Sequence, residues 1–300
     1  MSKKVLIHSL IFSPDGVSTA YLYNDIALRF QKEGYEVVVL STTPHFNVVE
    51  EQLAKQPLEW KIPGIYKESN FYGIKVIHVP QKKFKSTALR IIGFVYWHII
   101  SFILGLCIRD VSVIVSPSPP LSIGMLNLIL GKLKGCKVIY NVQEIYPDIL
   151  KKKTGPVIAF LKKVERCIYN RSDAVTTIDD VFYNTIVGRF ENPSKLHIIP
   201  NFVDTDLYNP KNVIPLDEKL FPKTHALKLL YAGNIGLAQD WSPLVALVEK
   251  TKVLDVEYFV IGMGAQRQYL EEEKEKREIE RRRSLSVGVG KERKRKKIRG

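Results

Sequence analysis

Cysteine and clustered histidine are what this sequence most clearly lacks. The 300 residues contain three cysteines, and their wide spacing suits neither a disulfide framework nor a zinc knuckle. A reducing, cytosolic environment is therefore expected. The histidines are scattered along the chain, so no metal site is expected either: they are His8, His45, His78, His98, His197 and His225.

Two catalytic motifs are also missing, and no leader segment is expected. The sequence has no serine-nucleophile elbow and no P-loop, so neither of those sites is expected. At the N-terminus the apolar run of residues 5–7 is interrupted at His8 and Ser9, and no small-residue cleavage site follows. We predict a first strand there and no signal peptide.

The charge is strongly positive, at +14, which suggests an anionic partner. Residues 271–300 contain 13 Lys/Arg and 7 Asp/Glu and so carry +6 of that total, which leaves +8 for the rest. A basic body is compatible with nucleic acid, an anionic membrane surface or a phosphorylated substrate. Nucleic acid is not expected, because the chain has neither a recognition motif nor interleaved aromatic residues.

Short apolar runs alternate with helical stretches, which predicts the α/β class with a doubly wound parallel sheet. Because these runs are almost wholly apolar, helices should cover both faces of the sheet. The predicted strands of the first domain are residues 4–9, 36–40, 74–79, 111–116, 137–143, 174–178 and 196–199.

The chain is predicted to have two domains. Residues 1–200 form the first, residues 201–227 a proline-punctuated linker, and residues 228–270 a second βα pattern with two strands. The charged residues 271–300 have little apolar material and are expected to be a disordered tail. The second domain is therefore predicted to be incomplete, with a truncation or an altered reading frame preferred to a functional basic arm.

Two loops at strand ends of the first domain could carry chemistry. Residues 12–19 contain Gly16 and lead into a helix, so backbone amides could bind a phosphate there, although an ordinary turn explains the glycine as well. Residues 141–148 carry Glu144 and Asp148. A carboxylate at that edge could act as a base or orient a hydroxyl group, or could simply begin a helix. His45, after strand 36–40, is a further candidate for a substrate contact.

Further candidates lie at strand ends of the second domain. Glycines between a strand and a helix suit a diphosphate bound by backbone amides, while a tight turn explains the last two equally well. The residues are Gly233, Asn234, Gly236, Gln239, Gly262 and Gly264.

The segment 82–108 leaves three alternatives open. It joins a basic stretch to an apolar run of about 17 residues, which is at the short limit for spanning a bilayer. It could be a buried helix, a monotopic insertion with basic flanks, or a true span.

Five motifs in order resemble family 4 glycosyltransferases, most closely the bacterial branch that builds capsule and O-antigen sugars, with fucosamine- and N-acetylglucosamine-type transferases as relatives. The resemblance covers residues 4 to about 270. The motifs are Ser-Pro-Ser-Pro-Pro-Leu (116–121), Val-Gln-Glu-Ile-Tyr-Pro (142–147), Ser-Asp-Ala-Val-Thr (172–176), Ile-Pro-Asn-Phe-Val-Asp (199–204) and Tyr-Ala-Gly-Asn-Ile-Gly (231–236).

The resemblance implies the GT-B fold, with two Rossmann-like domains facing across a cleft. The first domain would take the acceptor and the second the nucleotide sugar, without a metal or other cofactor and with retention of the anomeric configuration. Glu144 matches the Asp of the family's Asp-x-x-Pro element, on the acceptor side of the cleft, and is the implied catalytic residue. The other implied contacts are Gly16, Val17 and the six residues of the second domain for the donor, and His45, Gln143 and Tyr146 for the acceptor.

The sequence departs from the family in two places. Asn234 and Gln239 stand where many members carry Arg and Lys around the phosphate loop, which leaves more of the diphosphate to backbone amides. The resemblance also implies a Glu-x7-Glu segment well beyond residue 270, which would hold the donor ribose and sugar, and no such segment is identified there. Weak activity or none is therefore expected of this chain.

The expected function is transfer of a sugar from a nucleotide donor to a lipid-linked or polysaccharide acceptor in cell-surface polysaccharide biosynthesis. UDP is the expected nucleotide. The protein would be cytoplasmic and peripheral to the inner face of the cell membrane. A non-catalytic, membrane-associated module that binds the acceptor is the alternative.

Overall fold

The computed structural model describes residues 3–81, 86–150, 154–206, 208–212, 221, 223–236, 239–262, 264–276 and 285–288. The chain divides into two compact units, Met1–Leu207 and Tyr208–Gly300. The predicted linker, residues 201–227, thus falls partly in each unit.

The first unit is built on a nine-stranded sheet in the order β3-β4-β5-β2-β1-β6-β7-β8-β9. The seven strands from β5 to β9 in that order run parallel, and the hairpin of β3 and β4 adds an antiparallel edge. The strands are β1 (Lys4–His8), β2 (Glu36–Thr42), β3 (Glu59–Ile62), β4 (Tyr66–Phe71), β5 (Ile74–Val79), β6 (Val111–Ser118), β7 (Lys137–Val142), β8 (Ala174–Thr177) and β9 (Leu196–Ile198).

Helices cross over between these strands and cover both faces. Successive residues of β1 show the arrangement: Val5 and Ile7 join a core cluster with Tyr23, while Leu6 joins another with Trp97 on the opposite face. The apolar runs are therefore buried on both sides, as predicted. The helices are α1 (Ser18–Lys32), α2 (Glu50–Lys55), α3 (Thr87–Cys107), α4 (Leu121–Lys134), α5 (Pro156–Arg171) and α6 (Asp180–Ile186).

The sequence interpretation missed the hairpin of β3 and β4. Every residue of β3 is exposed, and β4 is mostly half-buried. Neither strand forms an apolar run of the kind that marks the central strands. Only the pairing of β4 with β5, and of β3 with β4, identifies them.

Helix α3 is not the buried helix of the first alternative. Only 17% of its most apolar 18-residue stretch is buried. The fully buried residues form a narrow stripe of Trp97, Ser101 and Gly105, spaced four residues apart, and partly buried side chains beside it also pack against the core. By length and composition the helix is also long enough to cross a membrane.

The second unit has a parallel sheet of three strands, β10 (Leu227–Ala232), β11 (Val256–Ile261) and β12 (Leu285–Gly288), in that order. Its helices are α7 (Ser242–Lys250) and α8 (Arg267–Lys276). The expectation of two strands was wrong, and the tail predicted from residue 271 was placed too early. Helix α8 continues past residue 271 because Leu270 is buried and the Arg267–Glu271 ion pair supports the next turn.

Candidate functional site

The candidates of the first unit all lie at one edge of its sheet. Parallel strands end together, and ligands of open α/β sheets bind outside those carboxyl ends. The loop after β1 carries Gly16 and Val17, the loop after β2 carries His45, and the loop after β7 carries the remaining three. Those three are Gln143, Glu144 and Tyr146.

A buried carboxylate joins the loops after β1 and β2. Asp15 is 1% exposed, and its Oδ1 accepts hydrogen bonds from the amides of His45 at 2.8 Å and Phe46 at 2.7 Å. Asp15 and Val48 also form an antiparallel bridge. These contacts hold the two loops together, because a carboxylate that accepts hydrogen bonds from two backbone amides binds both strongly.

Gly16 serves this junction directly. Its amide donates to the carbonyl oxygens of Phe46 and Asn47, each at 3.0 Å. A Cβ at this position would lie 2.4 Å from the Asn47 oxygen. Close approach of two loops thus accounts for the glycine, and its amide is already engaged. Val17 is the N-cap residue of α1, where the first amides of the helix have no intrahelical acceptor.

The His45 ring is held at one nitrogen. Nδ1 lies 2.7 Å from the Thr43 carbonyl oxygen and 3.4 Å from the Thr42 hydroxyl. The Thr42 hydroxyl donates to the Leu10 carbonyl, so it can only accept from the imidazole. Both neighbours of Nδ1 are acceptors, and Nδ1 therefore carries the proton. Within the described part of the chain no partner is seen for Nε2.

The loop after β7 is tied to its surroundings by a chain of amides. Asn141 accepts from the Tyr23 hydroxyl at 2.6 Å and from Gln143 Nε2 at 2.7 Å, and it donates to the Thr176 hydroxyl. Gln143 Oε1 in turn accepts from Asn201 Nδ2 at 2.9 Å. Three of the five motifs meet here, through Gln143, Thr176 and Asn201, and Gln143 has an internal role whatever it does for a ligand.

Glu144 differs from its neighbours because its side chain is exposed at the sheet edge. Its carbonyl oxygen accepts from the Ser118 hydroxyl at 3.2 Å, which ties the loops after β6 and β7. Tyr146 is half-buried and packs against the core cluster that contains Leu121 and Tyr140. Of these candidates, Glu144 presents the carboxylate that a ligand could reach.

Asp148 belongs to an internal ion cluster. It pairs with Arg189, which also donates to both carboxylate oxygens of Glu165, and it lies 3.5 Å from Lys162. Burial, the largest single effect, raises the pKa of Asp148, but the hydrogen bonds and charges of Arg189 and Lys162 together outweigh it, and the pKa is lowered. The cluster anchors the loop after β7 to helix α5, and it satisfies Asp148 without a ligand.

The two ends of this edge are well separated. His45 follows β2 and Glu144 follows β7, with β1 and β6 between them. Three interstrand steps amount to about 14 Å. A ligand that contacts both side chains is therefore larger than a single functional group.

In the second unit, two loop amides are engaged. The Gly233 amide donates to the Ile261 carbonyl at 2.9 Å, and the Gly236 amide donates to Gln239 Oε1 at 3.1 Å. An added Cβ on Gly236 would meet Asn234 Nδ2 at 2.6 Å, so that side chain lies against the glycine. The loop is thus compact and held by its own polar groups.

The two later glycines let the ends of β10 and β11 pack backbone to backbone. A Cβ on Gly262 would lie 1.8 Å from the Gly233 oxygen, and one on Gly264 would lie 2.1 Å from the Ile235 oxygen. Gly264 also has a φ of 156°. Side chains are therefore excluded at both positions, and the candidate donor loops form one contiguous surface within this unit.

Among the residues that the structure describes, no group of three or more His, Cys, Asp and Glu side chains could hold a metal ion. Metal independence stays a prediction. The interpretation of the sequence missed Asp15, Asn141 and Asn201 as site residues. The Pro-Asp-Gly turn signature could have indicated that Asp15 binds backbone amides, but not that those amides belong to residues 30 positions later.

Comparison with known families and structures bears on both units. The model of Glycosyltransferase Family 4 matches residues 20–207. WcaI of Escherichia coli K12, assigned to glycosyl transfer in colanic acid biosynthesis, is 21% identical over 290 residues, which are 90% of this chain and 68% of WcaI.

Solved structures show the same fold at lower identity. A glycosyltransferase of Rickettsia africae superposes with a TM-score of 0.60 at 15% identity, over 97% of this chain and 69% of that one. HepE of Anabaena, in complex with UDP, superposes with a TM-score of 0.62 at 12% identity, over 95% of this chain and 69% of HepE. The fold is that of GT-B glycosyltransferases, with the second domain covered in part.

Proposed function

Because the chain belongs to glycosyltransferase family 4, we propose that it transfers a sugar from a UDP-sugar to a lipid-linked or polysaccharide acceptor in cell-surface polysaccharide biosynthesis, with weak activity because the donor site is incomplete. Transfer proceeds with retention of the anomeric configuration and without a metal. The supporting observation is Glu144, an exposed carboxylate at the carboxyl edge of a parallel sheet in a family 4 domain.

The donor is proposed to bind at the loops after β10 and β11. The close backbone contact of Gly262 with Gly233 brings the loops after β10 and β11 together, so a diphosphate can lie against both. HepE, which shares the fold, was solved with UDP and with UDP-glucose. The chain offers Asn234 and Gln239 there, and neither carries a charge, so amide dipoles supply the attraction for the diphosphate.

The acceptor is proposed to bind along the edge of the first unit, and Gly16 and Val17 are proposed contacts of the donor. Glu144 positions or deprotonates the acceptor hydroxyl group, and His45 contacts the acceptor at the far end of the edge. Gln143 and Tyr146 are proposed acceptor contacts that also support the loop after β7. A general base must reach the proton it takes, and the exposure of Glu144 on the β7 loop leaves room for an acceptor hydroxyl group to approach it.

A calorimetric titration with UDP tests the donor half. We expect saturable binding that Gly262→Ala abolishes, because its Cβ would collide with the Gly233 carbonyl. Gly188→Ala is the matched control, since a Cβ there meets nothing within 4 Å. Wild-type protein that binds no UDP at millimolar concentration would contradict the proposed donor, and vesicle binding alone would then favour the acceptor-binding module.

Glu144→Gln tests the acceptor half. Transfer from radiolabelled UDP-glucose, UDP-galactose and UDP-N-acetylglucosamine is measured on an undecaprenyl-diphosphate-linked sugar. We expect transfer to fall about 100-fold or more, with UDP binding retained, because general-base catalysis contributes that much. Glu33→Gln removes an exposed carboxylate at the C-terminal end of α1, away from the carboxyl edge of the sheet, and serves as the control. Undiminished turnover in Glu144→Gln would remove Glu144 from the mechanism.

A membrane surface is the proposed partner, through the outer face of α3. Its apolar side chains recur at helical spacing and are each 39–62% exposed, opposite the stripe that contacts the unit. The Tyr96 hydroxyl binds the Gly64 carbonyl, so the exposed hairpin of β3 and β4 lies beside the helix. The outer residues are Ile92, Val95, Ile99, Ile103 and Leu106.

Charge complements this apolar face. Residues 81–137 contain eight Lys/Arg and a single acidic residue, Asp110. Arg90 and Arg109 are exposed near the two ends of α3, and Lys132 is exposed on α4. Apolar side chains flanked by cations suit an anionic bilayer surface, with the helix lying in the interface. The inner face of the cell membrane is therefore the proposed location.

Co-sedimentation with vesicles tests this attachment. We expect binding to phosphatidylglycerol-containing vesicles and little to phosphatidylcholine alone. The double variant Ile99→Glu and Ile103→Glu should lose binding, whereas Val253→Glu, at an 87% exposed position of the second unit, should not. Equal binding by both variants would rule out α3 as the membrane contact.

A further inference from the structure

The His45 loop is positioned by a single side chain from another loop. Asp15 is 1% exposed, yet its Oδ1 binds the amide of His45 itself and that of Phe46. A buried carboxylate is costly unless its hydrogen bonds are made. Two amides at 2.7–2.8 Å compensate that cost and fix the backbone on which the imidazole is mounted.

Several backbone contacts run beside that carboxylate. The Val49 amide donates to the Pro14 carbonyl at 3.0 Å, and the Gly16 amide donates across to Phe46 and Asn47. These bonds hold the loops together, but neither reaches His45. The His45 amide is bound by Asp15, so the carboxylate is the group that sets the position of this residue.

The ring itself is oriented by acceptors at Nδ1. With the Thr43 carbonyl at 2.7 Å and the Thr42 hydroxyl committed to Leu10, the proton lies on Nδ1. Nε2 then has a lone pair and, across the described residues, no partner. A sugar hydroxyl group is a donor of the size and chemistry that such a nitrogen accepts.

We propose that Asp15 is a positioning residue, which fixes His45 as the Nδ1–H tautomer so that Nε2 accepts a hydrogen bond from a hydroxyl group of the acceptor. The acceptor role rests on the proposed function, whereas the positioning role does not. Asp15 does not touch the substrate and acts through His45. The Nδ1–H form persists only while the Thr43 carbonyl stays opposite the ring, which the loop junction ensures.

The tautomer can be read directly in solution. Long-range ¹H–¹⁵N spectra of full-length protein labelled at histidine distinguish the two ring nitrogens, and His45→Gln assigns the signals. We expect the Nδ1–H form in the wild type and in Asp15→Asn, whose amide oxygen can still accept both bonds. In Asp15→Ala the two tautomers should mix. Wild-type protein in the Nε2–H form, or an unchanged tautomer in Asp15→Ala, would overturn the proposal.

Folding is monitored in the same spectra. His8 is buried in the core of the unit, where Nδ1 lies 2.7 Å from Asn127 Oδ1, so its signals should be the same in all variants. UDP binding is measured in parallel and should not change in Asp15→Ala. If the wild-type protein bound no UDP, that result would count against the proposed function alone, because the tautomer of His45 is independent of the donor.

A double-mutant cycle tests the acceptor role, with UDP-N-acetylglucosamine as donor and an undecaprenyl-diphosphate-linked sugar as acceptor. Asp15→Ala and His45→Ala should each raise the acceptor KM about tenfold, the effect of one hydrogen bond. The double variant should be no worse than either single one, because Asp15 acts through His45. Additive effects would contradict this, and Asp15→Asn should restore the wild-type KM.

Discussion

Asn201 donates a hydrogen bond of 2.9 Å to Gln143, which lies 58 residues earlier in the chain. Gln143 in turn binds Asn141, and Asn141 binds Tyr23 of helix α1. The segment that leads out of the first unit is thus tied to the loop that carries Glu144. Two motifs that are far apart in the sequence thus form one hydrogen-bonded network at the sheet edge.

Asn201→Ala should loosen that segment. The bond is exposed, so the free energy of unfolding should fall by at most about 1 kcal/mol. Hydrogen exchange of residues 199–206 should nevertheless become faster, because that bond holds them locally. Asn70→Ala, which removes a bond to the Gly73 amide in the distant hairpin, should leave the exchange of 199–206 unchanged. Identical exchange in both variants would contradict the tie.

Gly16→Ala should separate the loops after β1 and β2. The new Cβ would lie 2.4 Å from the Asn47 oxygen and 2.8 Å from Val49 Cγ2, and backbone cannot yield as a flexible side chain can. We expect a loss of about 1–3 kcal/mol in the free energy of unfolding, measured by urea denaturation. Gly188→Ala meets nothing within 4 Å and should be neutral or slightly stabilising. The prediction fails if the two substitutions are equivalent.

Arg189→Met should destabilise the first unit strongly at neutral pH. The Glu165 side chain is 1% exposed and binds Arg189 through both oxygens, so the variant leaves a buried charge without its partner. We expect a loss of about 3–5 kcal/mol. Arg29→Met, at the exposed pair with Glu33, should change stability by less than about 1 kcal/mol.

The deficit of Arg189→Met should depend on pH. Burial raises the pKa of Glu165, while the Arg189 hydrogen bond opposes that rise. Without Arg189 the pKa in the folded state climbs further, so the deficit is smallest below the pKa of the unfolded state and grows as the pH rises through the folded value. Adding Glu165→Gln should recover much of the loss. A deficit that is constant with pH would contradict this cause.

His78 should make the first unit sensitive to acid. Burial lowers its pKa from 6.5 to about 4, although the hydrogen bond to the Thr42 carbonyl opposes the shift. The pKa is depressed on folding, so the stability it contributes is complete above pH 6.5 and is lost as the pH falls through about 4. The loss amounts to about 3 kcal/mol. Urea midpoints across this range should fall less steeply in His78→Gln, and an NMR titration should show His78 unprotonated at pH 5 to 6.

Much of the first unit was predictable because its strands are buried on both faces. A run such as residues 36–40 has to be apolar throughout when helices cover both sides, and that pattern stands out against the flanking polar residues. The hairpin of β3 and β4 was missed for the opposite reason, since β3 is exposed and β4 is mostly half-buried. The exposure of α3 was also invisible, because its composition is the same whether lipid or protein surrounds it.

The sequence by itself determined the fold class and the edge of the sheet on which the first-unit candidates lie. Local periodicity sets the strands, and parallel strands must end together. Only the tertiary structure decided which polar groups were already engaged: Gly16 by the loop after β2, Asp148 by Arg189, and Gln143 by Asn201. Hydrogen bonds between residues 30–58 positions apart depend on how strands are ordered across the sheet, and no local pattern encodes that order.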